Sequence, residues 1–457
     1  MKNLNTIISL LFLVAAGSLV QSCTWFKKAG AATPTTGGIP KPGDEDMTYK
    51  MDTLEWRDDT SKPPIKTDGK EEPYEPPVAT DNTGTTTHLK ETYDISLLLP
   101  FYSDRFSDSS GMYSKSNFAL DYYAGLKLAL DSLGKTGLKL NFNVWDTQKD
   151  YLNFQDLLNK KEIRNADVII GPAEKDNITV ATNFVKGKNI TLLSPYYPSL
   201  DLAADCPNFV QVNPSLKAHC EAITRHINAR YKSDQVVMVC REKDNEASRF
   251  SYFQNALTAK GGSSRFQEFI VADESATLFK TDVASLYKTG TTVFVIPSWQ
   301  ESFVLAFLRK INETKGNREV IVYGMPQWLD NAQLSLDYYN SLQLRICTAN
   351  FVHQDDPRAK AFRKAFFNKY GKIPGKDAFL GYDTMLMLGR MLGKYGTGFQ
   401  QKFSIDRIKG LQSGFYFQPV ASQTATTGSD RFDQVMKYEN QYLFILKMED
   451  YVLISDE

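Results

Sequence analysis

The stretch "ADVIIGPAEKDNITV", residues 166–180, carries an apolar run into Gly171 and Pro172 and then into Glu174, Lys175 and Asp176. A glycine turn closing a buried strand is where many α/β proteins seat a ligand, because backbone N–H groups and a helix N-terminus converge there. Two carboxylates in the first helical turn suit the positive end of the helix dipole and compete with any anionic ligand. Lys175 could grip an anion directly or simply stand in solvent. Groups suited to catalysis are sparse. Of the four His, His88 lies in a proline-rich stretch and His353 in a connecting segment, and His219 and His226 lack the acid-rich spacing of a zinc motif. Ser132 to Lys135 and Ser285 to Lys288 match Ser-x-x-Lys, a pattern short enough to arise by chance. With no GxSxG, Walker or dinucleotide-binding glycine motif, the chain reads as non-enzymatic, with no cofactor and no metal.

Lys and Arg balance Asp and Glu at 53 each, so net charge points to no nucleic-acid partner. The opening "MKNLNTIISLLFLVAAGSLVQSC" has the form of a secretory signal: Lys2, an apolar run from Ile7 to Val20, then small and polar residues. Its ending "LVQSC" resembles the bacterial lipobox, which makes residues 1–22 the signal and Cys23 the lipidated N-terminus anchoring the protein to a membrane. The lack of acidic residues directly behind Cys23 favours a periplasm-facing anchor, on the outer membrane rather than the inner. Of the other cysteines, Cys206 and Cys220 are the pair closest in sequence and the candidate disulfide. Cys240 and Cys347 sit in apolar strand-like runs, which points to buried free thiols.

Residues 24 to about 92 are rich in Pro, Thr, Gly and acids and poor in aliphatics, too little apolar area to offset the entropy of ordering. As a flexible tether this segment would span on the order of 45 Å. Within it "YKMDTLEWRDD", with Met51, Leu54 and Trp56, breaks the pattern and is either a docking segment or chance. From Tyr93 onward strand-like runs alternate with amphipathic helical runs, the pattern of a parallel α/β sheet. Strands are expected at 94–101, 139–146, 166–172 and 190–195, with a helix over 118–133. A second series follows, with strands at 235–240, 265–271, 291–297, 319–326 and 342–351 and helices at 215–231, 249–261, 357–371 and 376–396. Two open sheets in one chain imply two lobes with a cleft between them.

This order of pieces resembles the type I periplasmic binding fold of Leu/Ile/Val-binding proteins. The resemblance rests on "DISLLLPF", "YYAGLKLALDSL", a strand closing in Asp146, "ADVIIGP", "ITLLSP", "PNFVQVNPS", "VVMVC" and "FFNKYGKIPGKDAFLGYD". It implies two lobes, about 93–212 plus 357–410 and about 215–349 plus part of 411–457. Three crossings would join them, near 212–215, near 349–356 and close to the C-terminus, with hinged closure on a ligand. It also implies contacts from the loops after the strands: Tyr102, Ser103, Asp146, Gly171, Pro172, Lys175, Ser194, Tyr196 and Tyr197 in the first lobe, and Arg241, Ser298, Trp299 and Trp328 in the second. Aromatics there would stack on rings or sugars, or would seal the contact between lobes. Amino-acid-binding members place a Ser or Thr hydroxyl where this chain has Lys175, and Gln211 stands where Phe-Arg is common, so simple α-amino-acid binding is not expected. The resemblance implies a small polar ligand and an ABC-type permease; the alternative is a tethered regulator of peptidoglycan synthesis partnered by a cell-wall synthase.

Overall fold

The apolar runs at 168–170, 191–194, 236–241 and 292–295 become central strands because they are buried on both faces, as parallel sheets require. The computed structural model describes residues 89–105, 113–198, 206–259, 264–271, 283–421 and 435–456. Cys23, the Pro/Thr-rich segment and the patch around Trp56 lie outside those residues. The first series gives β1 (Thr92–Leu99), α1 (Asn117–Gly134), β2 (Lys139–Asp146), α2 (Tyr151–Leu157), α3 (Lys161–Arg164), β3 (Val168–Ile170), α4 (Lys175–Val185), β4 (Thr191–Ser194) and β5 (Phe209–Gln211). The second gives α5 (Leu216–Asn228), β6 (Val236–Arg241), α6 (Phe250–Thr258), β7 (Gln267–Val271), β8 (Thr292–Val295), α7 (Glu301–Thr314), β9 (Val320–Gly324), α8 (Leu336–Ser341) and β10 (Leu344–Thr348). The chain then forms α9 (Pro357–Tyr370), α10 (Lys376–Tyr395), β11 (Ile408–Lys409), β12 (Gly414–Phe415), β13 (Phe417–Ala421), β14 (Val435–Asn440), β15 (Phe444–Glu449) and β16 (Val452–Ser455).

Two seven-stranded sheets result, ordered β13-β14-β5-β4-β3-β1-β2 and β16-β15-β10-β9-β8-β6-β7. The fold is the expected two-lobed α/β architecture, with one refinement: the sheets are mostly rather than wholly parallel. Antiparallel β13 flanks the first sheet, and antiparallel β15 and β16 flank the second. In the first sheet Leu97, Ile170 and Leu193 face α1, α9 and α10, whereas Leu98, Ile169 and Leu192 face α2 and α4. A Cβ on Gly125 would lie 1.8 Å from the Ala378 carbonyl oxygen, and one on Gly381 2.0 Å from that of Tyr122. These two glycines let α1 and α10 approach backbone to backbone.

The chain passes between lobes three times, between Gln211 and Leu216, after Thr348, and between Asn440 and Phe444. Side chains tie the crossings together. Asn440 Nδ2 donates to the carbonyls of Val212 (3.1 Å) and Gly414 (2.8 Å), and its Oδ1 accepts from the N–H of Tyr416 (2.9 Å) and Tyr442 (3.1 Å). Ser413 Oγ donates to Asn350 Oδ1 at 3.2 Å, and the Phe351 N–H to the Gln412 carbonyl at 2.9 Å. The N–H groups of Leu411, Gln412 and Ser413 all donate to the buried Asp383 carboxylate on α10, at 2.8, 2.8 and 2.9 Å.

His219 sits on α5 just past the first crossing, buried, with Nδ1 unpaired. Burial holds its imidazole well below the ordinary value, to about 4, against the opposing pull of the Cys347 backbone. An unfolded chain takes up this proton near pH 6.5 and the folded one refuses it until about pH 4, so the stability His219 confers is complete above pH 6.5 and drains away as pH falls from there towards 4. Urea denaturation at pH 7 and pH 4.5 should show the parent protein losing about 2–3 kcal/mol more than His219→Gln over that interval.

Candidate functional site

At the mouth of the first lobe a single carboxylate organises two loops. Asp146, the last residue of β2, accepts from the N–H groups of Phe101 (2.8 Å), Tyr102 (3.1 Å), Ser103 (2.7 Å) and Gln148 (2.9 Å) and from Ser103 Oγ (2.7 Å). Burial raises its pKa, but the hydrogen bonds from Ser103, Gln148 and Phe101 prevail and hold it below the usual range. Asp146 and Ser103 therefore fasten the loop after β1 and have little left for a ligand. Tyr102, at φ 53°, is turned inward and packs edge-on against Tyr113 at 5.1 Å, with Arg105 over both rings.

Gly171 has φ 94°, and its backbone runs so close to β1 that a Cβ would lie 2.1 Å from the Leu98 carbonyl oxygen. Its N–H donates to the Leu193 carbonyl at 2.8 Å, and a cis peptide joins it to the buried Pro172. Lys175 opens α4 and is exposed. Glu174, not Lys175, turns inward: it is the N-cap residue of α4, its Oε2 is buried, and burial raises its pKa. The Tyr102 hydroxyl is likewise raised, by burial first and then by Glu174. Lys149 and the Asn177 side chain oppose the rise at Glu174.

Ser194, at the end of β4, is fully buried. Tyr196 packs edge-on against Phe118 at 5.1 Å and beside Tyr122 at 5.6 Å, in the core shared with α1 and α10. Tyr197 packs instead on the opposite core, beneath α4. Neither ring stands open as a free stacking surface.

The mouth of the second lobe is built around Glu246, which is 1% exposed. Its Oε1 accepts from Arg241 Nε (3.1 Å), Arg241 NH2 (2.8 Å) and Ser298 Oγ (2.8 Å), and lies 3.3 Å from Arg249 NH1. Arg241 NH2 also donates to Asp244 Oδ2 at 2.7 Å. Arg249 donates to the Pro297 carbonyl at 2.5 Å and lays its guanidinium 3.7 Å from the centre of the Trp299 ring. Trp328 is buried against Gly324 and donates through Nε1 to the Ser298 carbonyl at 2.8 Å. Among the second-lobe candidates Trp299 alone keeps a large exposed surface, at 44%. Lys376 Nζ, opening α10 in the first lobe, lies 4.0 Å from Asp330 Oδ2 beyond β9 in the second, one contact between the lobes on this side.

The sequence matches the periplasmic binding protein family over residues 106–429. The chain belongs to that family. No curated protein sequence matches it. Among solved structures, a putative branched-chain amino acid ABC transporter protein from Rhodospirillum rubrum is similar at 14% identity and TM-score 0.56, over 80% of this chain and 99% of that one. LpoA from Haemophilus influenzae is similar at 13% identity and TM-score 0.54, over 82% of this chain and 60% of that one. Its C-domain, described as a regulator of PBP1A, aligns at 12% identity and TM-score 0.52, over 79% and 99%. At such identities these likenesses establish the fold, here the two-lobed type I periplasmic binding fold.

Within this family member the structure sets Tyr102, Ser103, Asp146, Gly171, Pro172 and Ser194 around the carboxyl ends of the first sheet, and Arg241, Ser298, Trp299 and Trp328 around those of the second. It sends Lys175 to solvent and Tyr196 into the core. The Cys206–Cys220 disulfide is corrected: Cys206 lies in the core under α4, Cys220 in the core of the other lobe, and the two are separate buried thiols, as are Cys240 and Cys347. Closeness in sequence misled because the first crossing runs between them. Glu246 and Arg249 were not among the sequence candidates. Their signal is the charged run "REKDNEASRF" behind a buried strand, where Glu246, five residues past Arg241 and three before Arg249, can fold back between the two cations.

Two substitutions test this construction. Glu246→Ala would strand Arg241 and Arg249 without their shared buried counter-charge, so a loss of about 3–5 kcal/mol is expected in chemical denaturation. Gly171→Ala, strained in φ and clashing with Leu98, should lower Tm far more than Gly187→Ala, whose φ of 74° is also positive but whose Cβ meets open space.

Proposed function

We propose that this chain is a non-enzymatic lipoprotein, anchored through acyl chains on Cys23 at the periplasmic face of a membrane, outer rather than inner. Behind its tether, the two-lobed body captures a small polar solute between the lobes, for delivery to an ABC-type permease or for sensing. The supporting observation is Trp299. A 44% exposed indole whose far face is clamped by Arg249 at 3.7 Å is a rigid, preorganised platform, costly to leave in water and suited to a ring or sugar. Family membership and the three-crossing hinge support the same reading. Among the described residues no helix is long and apolar enough to cross a membrane; the assignment of the anchor to Cys23 rests on the "LVQSC" ending alone.

A second reading is a tethered regulator of cell-wall synthesis. The observation in its favour is that Asp146, Arg241 and Ser298, which would meet a solute, are already engaged by the protein itself. The fold is also that of the LpoA C-domain. Thermal-shift measurements over amino acids, peptides, sugars and cell-wall fragments separate the two. Solute capture predicts at least one compound that raises Tm, with the rise abolished by Trp299→Ala while the unliganded Tm stays within about 2 °C, as expected for an exposed site. A silent panel, together with in-cell cross-linking to a cell-wall synthase, would replace the first reading by the second.

A further inference from the structure

On the first lobe, at the opposite end of β2 from Asp146, an open groove holds about 560 Å³. Its apolar lining comes from Leu133 at the end of α1, Leu138 before β2, Leu386 on α10 and Ile408 on β11. Two glycines of α10 shape it. A Cβ on Gly389 would lie 2.4 Å from Leu133, so that position is filled by its neighbour. One turn on, the nearest atom to a Cβ on Gly393 is Leu138 Cδ1 at 3.9 Å, so Gly393 leaves room beside Leu138. Arg390 lines the groove between them, exposed and with no ion pair among the described residues. An open apolar groove with one unneutralised cation suits an apolar segment that carries acids.

The chain supplies such a segment, and it enters the body at this place. Thr92 opens β1 and pairs with Lys139, the residue after Leu138, and Glu91 forms an ion pair with the Lys139 side chain. Paired strands lie about 5 Å apart, so β1 begins at the edge of the groove. Upstream, Leu54 is the only leucine between Thr24 and His88. It stands two residues from Trp56 in "TLEWRDD", residues 53–59, where Glu55, Asp58 and Asp59 outnumber Arg57. The 32 residues from Arg57 to His88 can extend to roughly 110 Å, far more than a return to the groove requires. A covalent link also makes docking intramolecular, at an effective concentration of roughly a millimolar. A second copy or a separate protein would have to exceed that concentration to take the groove instead.

We propose that this groove is the docking site of the chain's own residues 53–59, with Leu54 and Trp56 on its apolar lining and the acidic side chains towards Arg390. The assignment is independent of the solute, because the groove stands at the far end of β2 from the mouth. Given the anchor at Cys23, docking leaves residues 24–53 alone to bridge membrane and body, and release lengthens the reach of the body.

Trypsin digestion of the full chain tests this, with cleavage after Lys66 as the internal reference for cleavage after Arg57. Gly393→Phe, which fills the groove, should speed cutting after Arg57 at least ten-fold and leave Lys66 within two-fold of the parent. Leu54→Ser should do the same, and it carries the test should Gly393→Phe fail to fold. Arg390→Glu should give a smaller rise, about three-fold. Equal cutting after Arg57 in the parent and both groove and segment variants overturns the docking. A response to Leu54→Ser without one to a folded Gly393→Phe puts the segment elsewhere and overturns it as well. So does protection that vanishes on about hundred-fold dilution, which marks a second copy in the groove.

Discussion

The amide of Asn440 is the contact on which the arrangement of the two lobes depends. Its two donors and two accepting positions are all used, on backbone groups of Val212, Gly414, Tyr416 and Tyr442. Val212 belongs to the first crossing and Tyr442 to the third, while Gly414 lies in β12 and Tyr416 directly follows it. The neighbouring residues Gln412 and Ser413 reach Asn350 and Phe351 of the second crossing. Asp383 then pins 411–413 to α10, and Glu439 of β14 accepts from the Ser215 N–H at 2.7 Å. The knot is therefore fastened to the first lobe. On the second-lobe side the crossings enter α5, leave β10 and enter β15.

The same physical solution appears at both mouths. Loops beyond parallel strands expose unpaired backbone and side-chain donors, and each lobe gathers them on one internal carboxylate, Asp146 in the first and Glu246 in the second. Burying a charge is tolerable only with several partners; Asp146 accepts five hydrogen bonds, and Glu246 has two guanidinium groups and a hydroxyl around it. Glu174 differs. It occupies the same kind of position, yet burial outweighs Asn177, Lys149 and the backbone around it and pushes its pKa up rather than down. Hydrogen bonding prevails over burial at Asp146, and burial prevails at Glu174.

Much of the frame was legible in the sequence because burial on both faces writes itself as short apolar runs: "DISLLL", "ADVIIG", "QVVMVC" and "TVFVI" each became a central strand. The helices over 117–134 and 376–395 were legible from their 3.6-residue periodicity. The C-terminal strands were not. β14 reads "VMKYEN", and its Lys437 and Glu439 are buried because Gln211 and the Ser215 N–H meet them from β5 and the first crossing. Those partners lie more than two hundred residues away, so local pattern cannot announce them. The mouths were legible as places but not as chemistry. Position alone suggested Lys175 over Glu174, yet a lysine at the first helical position projects outward while the cap residue before it turns towards the sheet.

Folds of this class are compatible with both transport and regulation, as the likenesses to an ABC transporter protein and to LpoA illustrate, so the fold does not choose between them. What can choose is the state of the polar groups at the strand ends. A surface evolved only to seal against another protein can leave its donors and acceptors to water at a wet rim. A solute site instead holds them in a dry recess, where each unpaired atom is costly until the ligand arrives. Asp146, Arg241 and Ser298 satisfy neither description, being spent on the protein's own loops. Thr147 and Ser194 are fully buried and unpaired, but β1 and β3 stand between them, so they complete no single recess. The choice between the two roles therefore turns on whether a solute meets the exposed indole of Trp299, because the polar groups around it are already spent on the protein's own loops.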